Sequence, residues 1–231
     1  MADTATIISN AYREGRKVLL EPEARQICLE NGIIVPKFKV ARNQTEMLRF
    51  ADEVGYPLVL KIVSPDILHK SDAGAVMVNL KTAEEASQAY TAIMENVRKY
   101  KPDARIVGML VQAMAPQSTE VIVGALKDPQ FGPTVMFGLG GIFVELLKDV
   151  SFRIAPVTKQ DALEMIREVK AYPMLTGYRR TQALDIDALA SIIANVSALV
   201  TKVQAIKEID LNPLMLYEKG ALAVDARIIL E

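Results

Sequence analysis

Apolar positions along the chain switch between two rhythms, and each switch marks an element. In Glu21–Asn31, Ala24, Ile27 and Cys28 recur at helical spacing before Gly32 stops the pattern. Ile33–Val40 reads as a strand, and Asn43 is placed to cap a helix running to about Val54. After Gly55-Tyr56-Pro57 comes the apolar strand Leu58–Val63, with Ala75–Leu80 as its hairpin partner. Thr82–Tyr100 returns to the helical period, with Ala83, Ala86, Tyr90, Ile93 and Val97 on one stripe. Strands are predicted at Ile106–Ala113, Glu120–Leu126 and Thr134–Phe137, then helices at Lys159–Val169 and Asp185–Val203. The second of these helices aligns Ile186, Leu189, Ile193, Val196 and Val200. Strands Ala205–Leu211, Leu214–Tyr217 and Leu222–Ile229 close the chain.

Strands that come as adjacent pairs joined by short turns favour antiparallel or mixed sheets with helices packed on them. The predicted class is therefore α+β (mixed α/β), not a doubly wound parallel sheet. The expected division is a lead-in at 1–20, a first lobe at 21–104 carrying His69, and a second lobe at 105–231. The length of 231 residues suits two lobes of this size. Net charge is −1 with Lys and Arg dispersed, which argues against a nucleic-acid partner. No apolar run approaches the roughly 18 residues of a membrane span, and Met1–Ser9 lacks the features of a signal peptide, so the expectation is cytoplasmic. The single cysteine, Cys28, lies on an apolar stripe and reads as core.

Four places could carry chemistry. Lys61 interrupts the apolar run Leu58–Val63, so it either snorkels from an edge strand or meets an anion. His69, the only histidine, stands in a polar loop, His69-Lys70-Ser71-Asp72-Ala73-Gly74. It is either a surface residue or a nucleophile able to accept and donate a phosphoryl group. Phe137-Gly138-Leu139-Gly140-Gly141-Ile142 follows a strand and is either a tight turn or an anion cradle. It fits neither the dinucleotide-binding nor the P-loop spacing.

The last place is Glu208-Ile209-Asp210-Leu211-Asn212-Pro213. Its polar residues share one strand face while Ile209 and Leu211 share the other. A turn centred on Glu218-Lys219 sets Asn212 opposite Asp225; a turn at Lys219-Gly220 is equally open to the sequence. In the first register an amide oxygen and a carboxylate converge as a hard-oxygen site suited to Mg²⁺ with phosphate ligands; a solvated sheet face is the alternative. Pro213 is expected to end regular pairing. Gln112 and Met114 could wall an adenine, Glu120 could face a cleft, and Arg153 could reach a phosphate or a surface carboxylate.

Taken in order, Leu58–Val63 with Lys61, His69–Val76, Val111–Pro116, Thr119–Pro133, Phe137–Gly141, Phe152–Val157 and Glu208–Leu214 resemble the ATP-grasp domain of ADP-forming acetyl-CoA synthetases. The likeness runs from about Glu21 to the end, and extends more distantly to the β subunit of succinyl-CoA synthetase through Asn212-Pro213-Leu214 and Asp225. The His69-Lys-Ser-Asp-Ala-Gly setting is its most specific element. The resemblance implies two lobes around a nucleotide cleft, with ATP/ADP and Mg²⁺ bound here and CoA bound on a partner. It also implies an α subunit, an α₂β₂ assembly, and the reaction acyl-CoA + ADP + phosphate = carboxylate + CoA + ATP. Under it Lys61 holds phosphates, His69 relays the phosphoryl group and Arg153 assists. Gln112, Met114 and Glu120 lie near the nucleotide, and Gly140 and Gly141 serve phosphate or close packing. Asn212 and Asp225, with Asp210 as a weaker candidate, bind Mg²⁺. Two other classes compete: a stand-alone ATP-grasp carboxylate–amine ligase and a non-catalytic nucleotide-sensing module.

Overall fold

The computed structural model of the chain describes residues 3–67, 69–141, 144, 146–177 and 182–231. It divides into two compact units, one formed by Pro36–Pro116 and the other by Met1–Val35 together with Gln117–Glu231. The chain begins with α1 (Thr4–Arg13) and α2 (Glu21–Glu30). These leading residues belong with the C-terminal half because they bond to it. Leu19 N–H donates to the Ile228 carbonyl at 3.0 Å, Leu230 N–H to Lys17 at 2.7 Å, and Ala223 N–H to Ile34 at 2.9 Å.

The Pro36–Pro116 unit runs β1 (Phe38–Ala41), α3 (Gln44–Val54), β2 (Leu58–Val63), β3 (Val76–Leu80), α4 (Ala83–Tyr100) and β4 (Gly108–Ala113). Its sheet has the order β1-β4-β2-β3, antiparallel throughout. β4 lies between β1 and β2, so the unit closes after Pro116 and not at the expected 104/105 boundary. Asn43 caps α3 as predicted, its side chain accepting from Glu46 N–H at 2.9 Å. Leu58, Leu60, Ile62, Met109 and Val111 form one buried cluster with Met47, Ala86, Ile93 and Val97 from the two long helices. Burying each of the larger aliphatic side chains among these contributes roughly 1.5–3 kcal/mol.

The other unit continues with β5 (Thr119–Asp128), β6 (Gly132–Leu139), β7 (Val150–Ile154), α5 (Lys159–Glu168), α6 (Tyr172–Leu175) and α7 (Ile186–Lys202). It ends with β8 (Ile206–Leu216), β9 (Ala221–Ala223) and β10 (Arg227–Leu230). Its six-stranded sheet has the order β10-β8-β5-β6-β7, with β9 also on β8, and every pairing is antiparallel. Val121, Val123, Ala125, Val135, Phe137, Ile209 and Leu211 are buried, as are Leu189, Ile193, Val196 and Val200 on the stripe of α7. Two antiparallel sheets with helices packed on them are the α+β class the pattern predicts.

Several elements differ from the sequence reading. The two strands expected around Pro213 are one strand, β8, whose register against β5 shifts between Val121 and Val123. A bulge at Asn212-Pro213 absorbs the proline without ending the ladder. The strand expected over Ile33–Val40 shortens to β1, and the one over Leu222–Ile229 splits into β9 and β10. Cys28 is core, and burial pushes its thiol up to about 12. Ile142 lies outside the described residues.

Asp185 joins a helix start to the turn that sets the last hairpin. One carboxylate oxygen accepts from Ala188 N–H at 2.9 Å, capping α7, and the other from Gly220 N–H at 2.7 Å. The Asp185 amide itself donates to the Tyr217 carbonyl at 2.8 Å. These bonds, the Gly220 and Ala188 amides foremost, hold the carboxyl below its ordinary pKa. Since the folded pKa is the lower one, the stabilisation is present above the unfolded value of about 3.9 and is lost as pH falls through the folded one. Asp185→Ala is expected to lower unfolding free energy at pH 7 by about 1 kcal/mol, solvent screening keeping it at the low end. The difference from the parent should shrink in denaturant titrations at about pH 3.

Candidate active site

The candidate residues fall in both units. Lys61, His69, Gln112 and Met114 belong to Pro36–Pro116, and the remainder to the other unit.

In the first, Lys61 sits on β2, which is an interior strand, so the edge-strand reading of this lysine is removed. Lys61 pairs with Leu110 and Val76, and Gln112 pairs with Val59. Their strand neighbours Leu60, Ile62 and Val111 join the core beneath α3 and α4, so Lys61 and Gln112 share the opposite face. Both are buried, at 6% and 0% exposure. A buried ammonium on a rigid strand suits a phosphate better than water. Met114, half-buried one residue past β4, donates its amide to the Pro57 carbonyl at 3.0 Å.

His69 is exposed, at the start of a compact turn. Ala75 N–H donates to Lys70 at 2.8 Å and Gly74 N–H to Ser71 at 3.0 Å, while Asn96 of α4 holds the Gly74 carbonyl at 3.0 Å. Gly74 has φ +59, and a side chain there would meet Asn96 at 2.8 Å. Ile67 and Ala73 anchor the segment in the core on either side. The loop is thus short and pinned, and presents the imidazole to solvent.

In the second unit, the pairings Phe152↔Met136, Met136↔Gly124 and Gly124↔Asp210 define one sheet face. Glu120, Asp210 and Asn212 lie on that face, away from the buried Val121, Ile209 and Leu211. On β8, Leu214 pairs with Ala223 and Asp210 with Arg227. Both pairings belong to the register of a turn centred on Glu218-Lys219, so Asn212 falls opposite Asp225 between them. Burial raises the Asp210 pKa above its ordinary value; the charges of Glu208 and Asp225 push the same way, and Arg227 opposes them. Arg227 bonds Glu208 at 2.6 Å and Asp210 at 3.4 Å. An amide oxygen beside mutually repelling carboxylates is a donor set that fits a hard cation such as Mg²⁺. Among the described residues no cluster of three or more His, Cys, Asp or Glu forms.

Position bears on two readings that the sequence left open. Arg153 pairs with Val135, whose strand neighbour Ala125 is buried beside Ile209, so it lies on the face opposite Asp210 and Asn212. There it forms a two-pronged ion pair with Glu168 of α5. Gly140 packs: its amide donates to the Glu120 carbonyl at 2.8 Å, and an added Cβ would lie 3.0 Å from Glu120 Cβ. Gly141 has φ +61 with open space beside it, the conformation of a turn.

The profile of the ATP-grasp domain family matches residues 10–230. The chain is 58% identical to the β subunit of an ADP-forming acetate–CoA ligase I of Pyrococcus furiosus, over 100% of this chain and 99% of that one. The chain belongs to the ATP-grasp family of ADP-forming acetate–CoA ligase β subunits. A solved structure of the acetyl-coenzyme A synthetase 1 of Ca. Korarchaeum cryptofilum, in complex with coenzyme A and Ca-AMPCP, matches with a TM-score of 0.97 and 49% identity, over 99% of this chain and 100% of that one. In another structure of that enzyme, with coenzyme A and Mg-AMPPCP, a phosphohistidine segment points towards the nucleotide binding site. It matches at 0.88 and 47% identity, again over 99% and 100%.

For this ATP-grasp chain, sequence reasoning missed Arg25, which is fully buried and donates to the Val224 carbonyl next to Asp225. The signal was present: an arginine inside an apolar helical stripe, four residues after Glu21. Arg227, beside two carboxylates, was missed because strand spacing alone does not report cross-strand charge.

Gly140→Ala must displace Glu120 on β5, an interior strand with little room to move. The expected cost is about 1–3 kcal/mol in unfolding free energy, measurable by urea titration.

Proposed function

We propose that the chain is the nucleotide-handling subunit of an ADP-forming acyl-CoA synthetase, with acetate as the acid, and that His69 passes a phosphoryl group to ADP. The observation that carries this reading is the bracketed register of Asn212 and Asp225 in a family member that also presents its single histidine on a pinned, exposed turn. The relative over the whole length is named a β subunit. The companion is a CoA-binding α subunit, in an assembly with two copies of each, working in the cytoplasm where nucleotide and CoA are held.

In the direction of ATP formation, a terminal phosphate oxygen of ADP attacks the phosphorus carried on the His69 imidazole. The P–O bond forms as the N–P bond breaks, and the imidazole recovers its lone pair. Little covalent chemistry is asked of the protein beyond positioning and charge compensation. Lys61, on a rigid interior strand, supplies a fixed cation for phosphate oxygens. Gln112 and Met114, at the end of β4, serve the adenine, and Glu120, on the polar face of β5, is the nucleotide residue of its own unit. Asn212 and Asp225 would hold Mg²⁺, which when bound neutralises phosphate charge, and Asp210 supports that pair. Gly141 shapes the turn after β6. Arg153 acts through Glu168 on the sheet and α5.

With the α subunit present, His69→Ala should reduce ATP formation from acetyl-CoA, ADP and phosphate by at least about a thousandfold. The affinity for Mg-ADP should stay within about twofold, because the imidazole is asked only to transfer. Full turnover in the variant would remove the relay.

A further inference from the structure

Arg25 is a buried ion to which phosphoryl transfer gives no task. Its exposure is 0%, so fixed partners must answer its guanidinium. Nε and Nη2 donate to Glu21 Oε1 at 3.0 and 2.6 Å. Nη2 also donates to the Val224 carbonyl at 2.5 Å. That carbonyl belongs to the peptide linking Val224 to Asp225. On one side, Val224 N–H donates to the Pro213 carbonyl at 3.0 Å, tying the segment to the bulge that carries Asn212. On the other, Asp225 Oδ1 accepts from Ala226 N–H at 2.9 Å, which restricts the side-chain direction.

Residues 224–226 lie between β9 and β10, outside both strands. Here the segment's backbone is held from α2 and from the bulge. A buried ion pair is a weak source of stability compared with apolar packing of the same volume. What it supplies at this place is one donor, Nη2, aimed at a single peptide carbonyl by a guanidinium whose Nε and Nη2 are both held by Glu21.

We propose that Arg25, oriented by Glu21, is a positioning residue for Mg²⁺: it fixes the Val224–Asp225 peptide so that the Asp225 carboxylate meets the metal opposite Asn212. The proposal rests on the reading of Asn212 and Asp225 as the Mg²⁺ pair. It gives the N-terminal helix α2 a function in the nucleotide site, as the outer support of a metal ligand. Such supports commonly change metal affinity by 10–100-fold when removed.

The test is calorimetric titration of the full chain with ADP, in EDTA and across a Mg²⁺ series, for Arg25→Met, Arg25→Lys, Asp225→Asn and the Arg25→Met/Asp225→Asn double variant. Arg25→Met should weaken the apparent Mg²⁺ affinity by about tenfold while metal-free ADP affinity stays within about twofold. Arg25→Lys, which keeps the charge but loses the fork, should fall between, and it carries the test if Arg25→Met does not fold. The double variant should be no worse in Mg²⁺ affinity than Asp225→Asn alone.

If Asp225→Asn weakens Mg²⁺ and the Arg25 variants do not, the positioning role is overturned and the metal reading stands. Equal loss of metal-free and Mg²⁺-dependent ADP affinity in the Arg25 variants would reduce Arg25 to a structural residue. An unchanged Mg²⁺ series in Asp225→Asn would remove the metal reading, and this inference with it.

Discussion

The register in which the last residues fold back onto β8 is the constraint on which the candidate metal site depends. Strand side chains alternate with a period of two, so a slip of one residue would turn Asp225 from the side of Asn212 to the opposite face. The structure secures this register from both ends. Asp185 clamps the turn through Gly220 and Tyr217, and Arg227 bonds Glu208 and Asp210 at the far side. Between them the bulge at Asn212-Pro213 lets β8 continue while setting Asn212 on the polar face.

The same logic of rigid placement governs the other unit. Lys61 lies on an interior strand whose alternate residues are locked into the core beneath α3 and α4. His69 is held within a few residues of two core anchors and by Asn96 through Gly74. Charge that would be costly in a mobile side chain is fixed by backbone that has little freedom to move. In each unit, a helix layer buries one sheet face so that polar residues can occupy the other.

Much of this was legible in the sequence because periodicity reports faces. The stripes of α4 and α7, the cap at Asn43 and the β2–β3 hairpin all follow from local pattern and turn chemistry, whereas the sequence left two turns open for the last hairpin and only the strand pairings choose between them. The rest depends on contacts that no local pattern encodes. Whether Lys61 stood on an edge depended on strand order, which brings β4 beside β2 from beyond β3 and α4. The attachment of the chain up to Val35 to the C-terminal unit depends on bonds to β9 and β10 about two hundred positions away. For Arg153 the sequence left a phosphate and a surface carboxylate equally open; its face and its pairing with Glu168 depend on the register of β7 against β6. Gly140 could be assigned to packing only when the Glu120 carbonyl was seen beside it.

The most direct test of phosphoryl transfer through this chain is incubation with Mg²⁺ and γ-labelled ATP, with and without His69→Ala. The stability of any label to acid and alkali is then measured. The account predicts acid-labile, alkali-stable label on the parent chain and none on the variant, the signature of phosphate on imidazole nitrogen. Label of the same stability on His69→Ala, or its absence from the parent even with the α subunit added and Mg-nucleotide bound, would contradict it.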